Sequence, residues 1–166
     1  MKVKQDFVTN SSSSSFIVAF NGPVANLEDI KDKIMFVEKA QAVFDGIQEQ
    51  TPIKLEHSLD CIEKLTNEIS SGYFEGYVWD WKGVKDPKRE NYSTEKEYFE
   101  ARMEVINEQN ARNREKARKI AIRFIEENQG KVAYIFSFSD NDGKFWSEME
   151  HGETFEEFPH LTISHH

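Results

Sequence analysis

The sequence predicts an α+β fold: an antiparallel sheet built from an N-terminal strand and a C-terminal hairpin, with three helices on one face. Three observations carry this expectation. An unbroken apolar run, Phe16-Ile17-Val18-Ala19-Phe20, follows a block of serines near the N-terminus. A second β-rich run, Val132 to Phe138, leads into the turn Asp140-Asn141-Asp142-Gly143. Between them lie three stretches whose apolar residues recur every three or four positions, the period of a helix. The chain therefore reads as one domain over 1–166, its helical middle (26–128) inserted between the terminal strands.

Residues 1–10 read as an arm or short first strand. Ser14 to Phe20 reads as a strand stopped by Asn21-Gly22-Pro23. Its apolar residues are continuous rather than alternating, which places it in the sheet interior. Asn26 is a good N-cap, with Glu28 and Asp29 where the helix dipole favours negative charge. Leu27, Ile30, Ile34, Val37, Gln41, Phe44 and Gln48 then predict a helix over about 27–48. Gly46 and the block Ile34 to Val37 leave room for a break in it. His57 or Ser58 opens a second helix, with Leu59, Ile62, Leu65 and Ile69 on one face and Ser70-Ser71-Gly72 at its end. Cys61 lies within this helix and reads as a small packing residue without a chemical role. Tyr73 to Trp81 is dense in aromatics and fits either an edge strand or a loop under the long helix. Lys82 to Tyr92 reads as an exposed connector.

Thr94 and Glu97 form a capping-box start for the longest element, about 94–128. Phe99, Met103, Ile106, Asn110, Asn113, Ala117, Ile120 and Phe124 step by four and three, a heptad-type seam. Its two ends are expected to bury, and its polar middle to project or bend. Glutamates crowd the first half; Arg112, Arg114, Lys116, Arg118, Lys119 and Arg123 crowd the second. This complements the helix macrodipole; it also offers a basic strip for phosphate or an acidic partner. After Gly130 comes the strand at Val132 to Phe138. Asp-Gly is a hairpin signal, so Lys144 to Met149 is expected to return as the partner strand. Leu161-Thr162-Ile163 forms a last short strand.

Composition bounds the function. Hydrophobic residues make up 38% and aromatics 13% of 166 residues, enough to fill a core. No apolar run reaches the roughly 18 residues of a membrane helix, and the serine block stands where a signal peptide needs apolar residues. The lone cysteine fits a reducing compartment. A cytoplasmic protein without membrane association is the expectation. A net charge of −9 disfavours general nucleic-acid binding.

Chemistry is concentrated at the two ends. His151, His160, His165 and His166 fall in the last sixteen residues, close to Asp140, Asp142 and Glu150. Imidazole and carboxylate are the usual ligands of divalent transition metals. Asp140, Asp142, His151 and His165 are the candidate metal ligands, with Glu150 as general base. Against this, Asp favours turns because it bonds its own backbone. No HExxH or paired CxxC spacing is present. An EF-hand register fails, since it puts Phe138 and Met149 at positions that require carboxylates. The run Ser11-Ser12-Ser13-Ser14-Ser15 has neither the glycines of a nucleophile elbow nor those of a phosphate-binding loop. Asn10 and Ser11 to Ser15, with Arg118, could hold a small phosphorylated ligand; otherwise alternate serines form a polar sheet face.

The stretch Asp6-Phe7-Val8-Thr9-Asn10-Ser11-Ser12-Ser13-Ser14-Ser15-Phe16 resembles the N-terminal signature of a set of uncharacterised bacterial and phage proteins. Ser139 to Gly143, Glu150-His151-Gly152 and Ile163-Ser164-His165-His166 are similar to a C-terminal pattern found in some of them. The resemblance is confined to the two ends and carries over no catalytic residue. It implies a phage or mobile-element context, with His165 and His166 native to the protein. The functional expectation is a small acidic binding or accessory protein acting on a protein partner. The alternative is a metal-dependent hydrolase or nucleotide-processing enzyme built on the C-terminal Asp/His cluster.

Overall fold

The structure, a computed structural model, describes residues 13–74, 86–139, 143–151 and 153–165, the side chains of Tyr73 and Phe74 excepted. Asn10, Ser11, Ser12, Asp140, Asp142 and His166 lie outside the described residues, as do the N-terminal arm and most of the aromatic stretch after Phe74.

The antiparallel α+β expectation holds. Strand β1 is Ser13–Phe20, β2 is Ile53–Lys54, β3 is Tyr73–Phe74, β4 is Val132–Ser139 and β5 is His160–Ser164. They form one sheet in the order β2-β4-β1-β5-β3, every pairing antiparallel. β1 is the centre. It pairs with β4 along its whole length, from Ser13 opposite Ser139 to Phe20 opposite Val132, and with β5 on its other side. A central strand needs both faces buried, and all its residues from Ser14 to Phe20 are buried.

Those two faces correct the expected layering. Side chains alternate along a strand, so Phe16, Val18 and Phe20 join Tyr134, Phe136 and Phe138 on one face. They pack against Ala40, Val43 and Ile47 of helix α1 (Val37–Gln48) and Met149 of helix α4 (Lys144–His151). On the other face, Ile17, Ala19, Ala133 and Ile163 pack under helices α2 (Leu59–Ser70) and α3 (Glu95–Glu127). The helices therefore cover both faces in three layers, not one. The faces also differ in chemistry. The first is aromatic, with Phe16 5.2 Å from Phe155 and Phe136 5.0 Å from Phe155 between ring centroids. The second is mainly aliphatic, with Phe124 among its buried residues, and Ala117 and Ala121 let α3 approach closely.

The expected C-terminal hairpin does not form. Lys144 to His151 is helix α4, not a strand returning along β4. Phe145, Trp146 and Met149 sit at i, i+1 and i+4, one side of a helix, and Met149 is fully buried. A local Asp-Gly turn signal loses here to the burial of that apolar stripe. One consequence is an open position beside β4. Among the described residues its outer edge is paired by β2 at Val132 and Ala133 and by no other strand.

The first predicted helix is also shorter than expected. Leu27–Asp29 is a single 3-10 turn, where Asp29 Oδ2 accepts from the Asn26 amide at 3.0 Å. Helix α1 starts only at Val37, because Phe36 takes φ 75°, a value an L side chain rarely adopts. The residue is 61% exposed, with Lys39 Nζ 5.8 Å from the ring centroid, so little packing holds it there. Phe36→Gly should therefore raise stability by about 1 kcal/mol, measured by thermal or urea unfolding. A destabilised Phe36→Gly protein would show that the ring is needed.

The other caps follow the sequence. Ser58 Oγ accepts from the Cys61 amide at 3.2 Å. Thr94 and Glu97 exchange bonds of 3.2 and 3.1 Å as a capping box. Burial pushes the Cys61 thiol above its ordinary pKa, in keeping with a packing role. α3 is continuous through Asn110 and Asn113. Its C-terminal end buries as expected, through Ala117, Phe124 and Ile125, and Asn110 is exposed; the front end departs from the expectation, since Phe99, Met103 and Ile106 are exposed, while Gln109 and Asn113 in the middle are buried. The reason is length. Thirty-three helical residues span about 50 Å, and eight strand residues about 26 Å, so the front of α3 outruns the sheet. Among the described residues no helix is long and apolar enough to cross a membrane.

Candidate functional site

The serines of β1 lie at one end of the sheet, and strand alternation divides them. Ser14 points to the α4 face, where its hydroxyl donates to Glu150 Oε1 at 3.3 Å. Ser15 points to the α2–α3 face, 3.1 Å from Ser137 Oγ and 2.8 Å from His165 Nε2. The His165 amide donates to Ser13 O at 2.9 Å, so the backbone pairing runs one residue beyond β5. The turn after α2 closes over this point: a Cβ on Gly72 would stand 2.5 Å from Ser164 O and 2.7 Å from His165 Nδ1.

This separates His151 from His165, the two described residues of the proposed metal site. His151 Nε2 lies 3.6 Å from Glu150 Oε2, on the α4 face. His165 is on the opposite face with Ser15. A two-residue side-chain period sends neighbours to opposite sides of the sheet, whatever their closeness in sequence. Among the described residues no group of three or more His, Cys, Asp or Glu is placed to hold a metal ion. Glu150, the proposed general base, has no solvent exposure in its side chain and takes the Ser14 hydroxyl. A general base must reach a substrate proton directly or through one water, and this position offers no such access. The Ser15–His165 pair has the composition of a nucleophile and base. Ser15, however, is 3% exposed, in a strand paired on both sides, so its neighbouring amides serve the sheet rather than an oxyanion. It ties β5 to β1.

Arg118 is likewise accounted for. Its Nη1 donates to Glu63 Oε1 at 2.8 Å, and Arg114 reaches the other oxygen at 2.6 Å and Asn67 Oδ1 at 2.8 Å. Arg112 pairs with Glu108 and Arg123 with Glu127. Much of the late basic strip thus zips α3 to α2 or to itself. Arg118 lies on the outer seam between those helices rather than over the serines.

The open site is elsewhere, where the missing hairpin strand would have been. A groove of about 970 Å³ runs along the outer edge of β4. Ile135, Phe136, Ser137 and Phe138 form its floor, α1 one wall, and Phe145 and Trp146 of α4 its end. α1 reaches the floor because Gly46 lacks a side chain; a Cβ there would already be 3.4 Å from the Phe136 ring. The wall is acidic. Glu38, Asp45 and Glu49 line it together with Gln41 and Gln50, and among the described residues no Lys or Arg lines the groove. Gln41 Nε2 donates to Asp45 Oδ1 at 2.7 Å, which holds that carboxylate along the wall. Gln50 reaches from the end of α1 to accept the Ile135 amide at 2.9 Å. Sequence reasoning missed these residues. The polar spacing Glu38, Gln41, Asp45, Glu49 marks one stripe of a helix and was readable; the vacancy beside β4 was not.

No family model matches the chain, and neither a curated protein nor a solved structure is significantly similar to it.

Proposed function

We propose that the protein is a non-catalytic binding module that takes a segment of a partner protein into the α1–β4 groove. The observation that carries this is a strand edge without a neighbouring strand beyond Ala133, among the described residues, lying at the floor of an open groove with an aromatic end. Sheet edges are ready templates for another chain, and proteins ordinarily cover or blunt them. Here the edge is framed by two helices instead. The metal-dependent hydrolase reading draws no comparable support, because His151 and His165 stand on opposite faces of the sheet. The terminal signature adds a phage or mobile-element setting to the proposal, on which the groove does not depend.

The test is a selection of displayed random peptides on the wild-type protein, with Gln41→Trp as counter-target. Gln41 is exposed on α1 and lines the groove, so the indole obstructs it without disturbing the core. The expected result is a peptide family retained by the wild type and released by Gln41→Trp, with affinity lower by about tenfold or more. Absence of enrichment, or peptides held equally by both proteins, would overturn the proposal.

A further inference from the structure

Resting on the groove as a protein-binding site, we propose that its occupant is an extended, basic segment that joins the sheet as the outer neighbour of β4. Three features select this occupant.

The first is backbone geometry. Consecutive residues of a strand direct their N–H and C=O groups to opposite edges. Lys131 O accepts from Leu55 on the outer side, and the Ile135 amide meets Gln50 on that same side. Ser137 is in step with both and turns its backbone into the groove. The Gln50 carboxamide already imitates the carbonyl of a neighbouring strand at Ile135. A helix in the groove would bring no free backbone groups along its length; an extended chain brings one donor and one acceptor at every second residue.

The second is length. Beyond Ala133 the edge runs from Tyr134 to Phe138, roughly 17 Å, room for a strand of about five residues.

The third is charge. Asp45 and Glu49 are one helical turn apart, about 6 Å along α1. Alternate side chains of an extended chain are spaced by about 6.8 Å. Two Lys or Arg residues at i and i+2 of the segment therefore meet the two carboxylates in turn. Farther along, an apolar residue of the same face meets Phe145 and Trp146. With three carboxylates and no cation among the described residues of the lining, and a net charge of −9, an acidic segment is repelled at close range and at a distance.

The probe is the heptapeptide Leu-Thr-Lys-Thr-Lys-Thr-Leu, which presents the same order from either end, followed by fluorescence anisotropy of a labelled copy. It should bind the wild type, and its counterpart with Glu for Lys should bind about tenfold more weakly or worse. In the Asp45→Lys/Glu49→Lys protein, changed only at exposed positions of α1 and its C-cap, that preference should reverse. Two further copies carry N-methyl groups on the lysine amides or on the threonine amides. One set faces β4 and the other faces away, so one methylated copy should lose binding and the other keep it. Equal binding of the Lys and Glu peptides, or survival of binding in both methylated copies, would overturn the inference. Should the displayed-peptide selection yield acidic or helical ligands that Gln41→Trp still releases, the groove stands as a binding site and the added basic strand falls.

Discussion

Gly72→Ala should lower the stability of the protein by about 3 kcal/mol, the upper range for forcing an atom into a filled site. The added methyl would meet Ser164 O at 2.5 Å, His165 Nδ1 at 2.7 Å and the Ile163 methyl at 2.8 Å. The nearest of these is backbone, and it belongs to β5, which is held by the central strand. The turn must therefore lift, which strains the Tyr73–Ser164 and Phe74–Ile163 pairing of β3 and disturbs the His165 ring where it meets Ser15. Gly22 is the control. It has open space around a Cβ, so Gly22→Ala should be neutral or slightly stabilising, by about 0.5 kcal/mol, through the unfolded chain. Urea titration of both proteins, with the His165 ring resonances followed by NMR, checks the pair. A Gly72→Ala protein as stable as Gly22→Ala would show that the turn has slack that these contacts exclude.

The parts of this fold that were legible in the sequence are those decided locally. Ser58 and the Thr94–Glu97 box cap their helices where expected, because a cap depends on residues within one turn. The unbroken apolar run at Phe16 to Phe20 marked an interior strand, and β1 is the centre of the sheet. That same run implied two buried faces, and the one-sided helical layer expected beside it was inconsistent with it. The errors lie where a local signal competes with a distant one. Asp-Gly suggested a hairpin after β4, but whether a strand is wanted there depends on where Phe145, Trp146 and Met149 find a core. His151 and His165 stand on opposite faces for a related reason: closeness in sequence does not say which face of a sheet a side chain takes. The groove was illegible because it is made by an absence, the strand that does not return, and by the acidic side of α1 that faces it.

Ile17→Ala and Phe16→Ala, at adjacent positions of β1, should each cost about 4 kcal/mol, within the range for truncating a large buried side chain. Ile17 is fully buried among the α2 and α3 residues, and Phe16 is 5% exposed against Phe138 and Phe155. In a sheet covered on one side, one of two adjacent residues faces water and its truncation is cheap, as Leu59→Ala should be at 73% exposure. Equal, large losses at Ile17 and Phe16 therefore report two buried faces, and a near-neutral result at either would contradict the three layers. The two variants should part company in binding. Phe16 stands under Phe138, whose backbone and ring belong to the groove, on the same face as α1 and α4. Its loss lets the floor of the groove sink, so the lysine heptapeptide should bind Phe16→Ala several-fold more weakly than wild type under conditions where both are folded. Ile17 supports the opposite layer, and its truncation should leave that affinity within about twofold of wild type once the folded fraction is taken into account. Equal affinity losses in the two variants would mean that the groove responds to the stability of the whole sheet rather than to the aromatic layer beneath it.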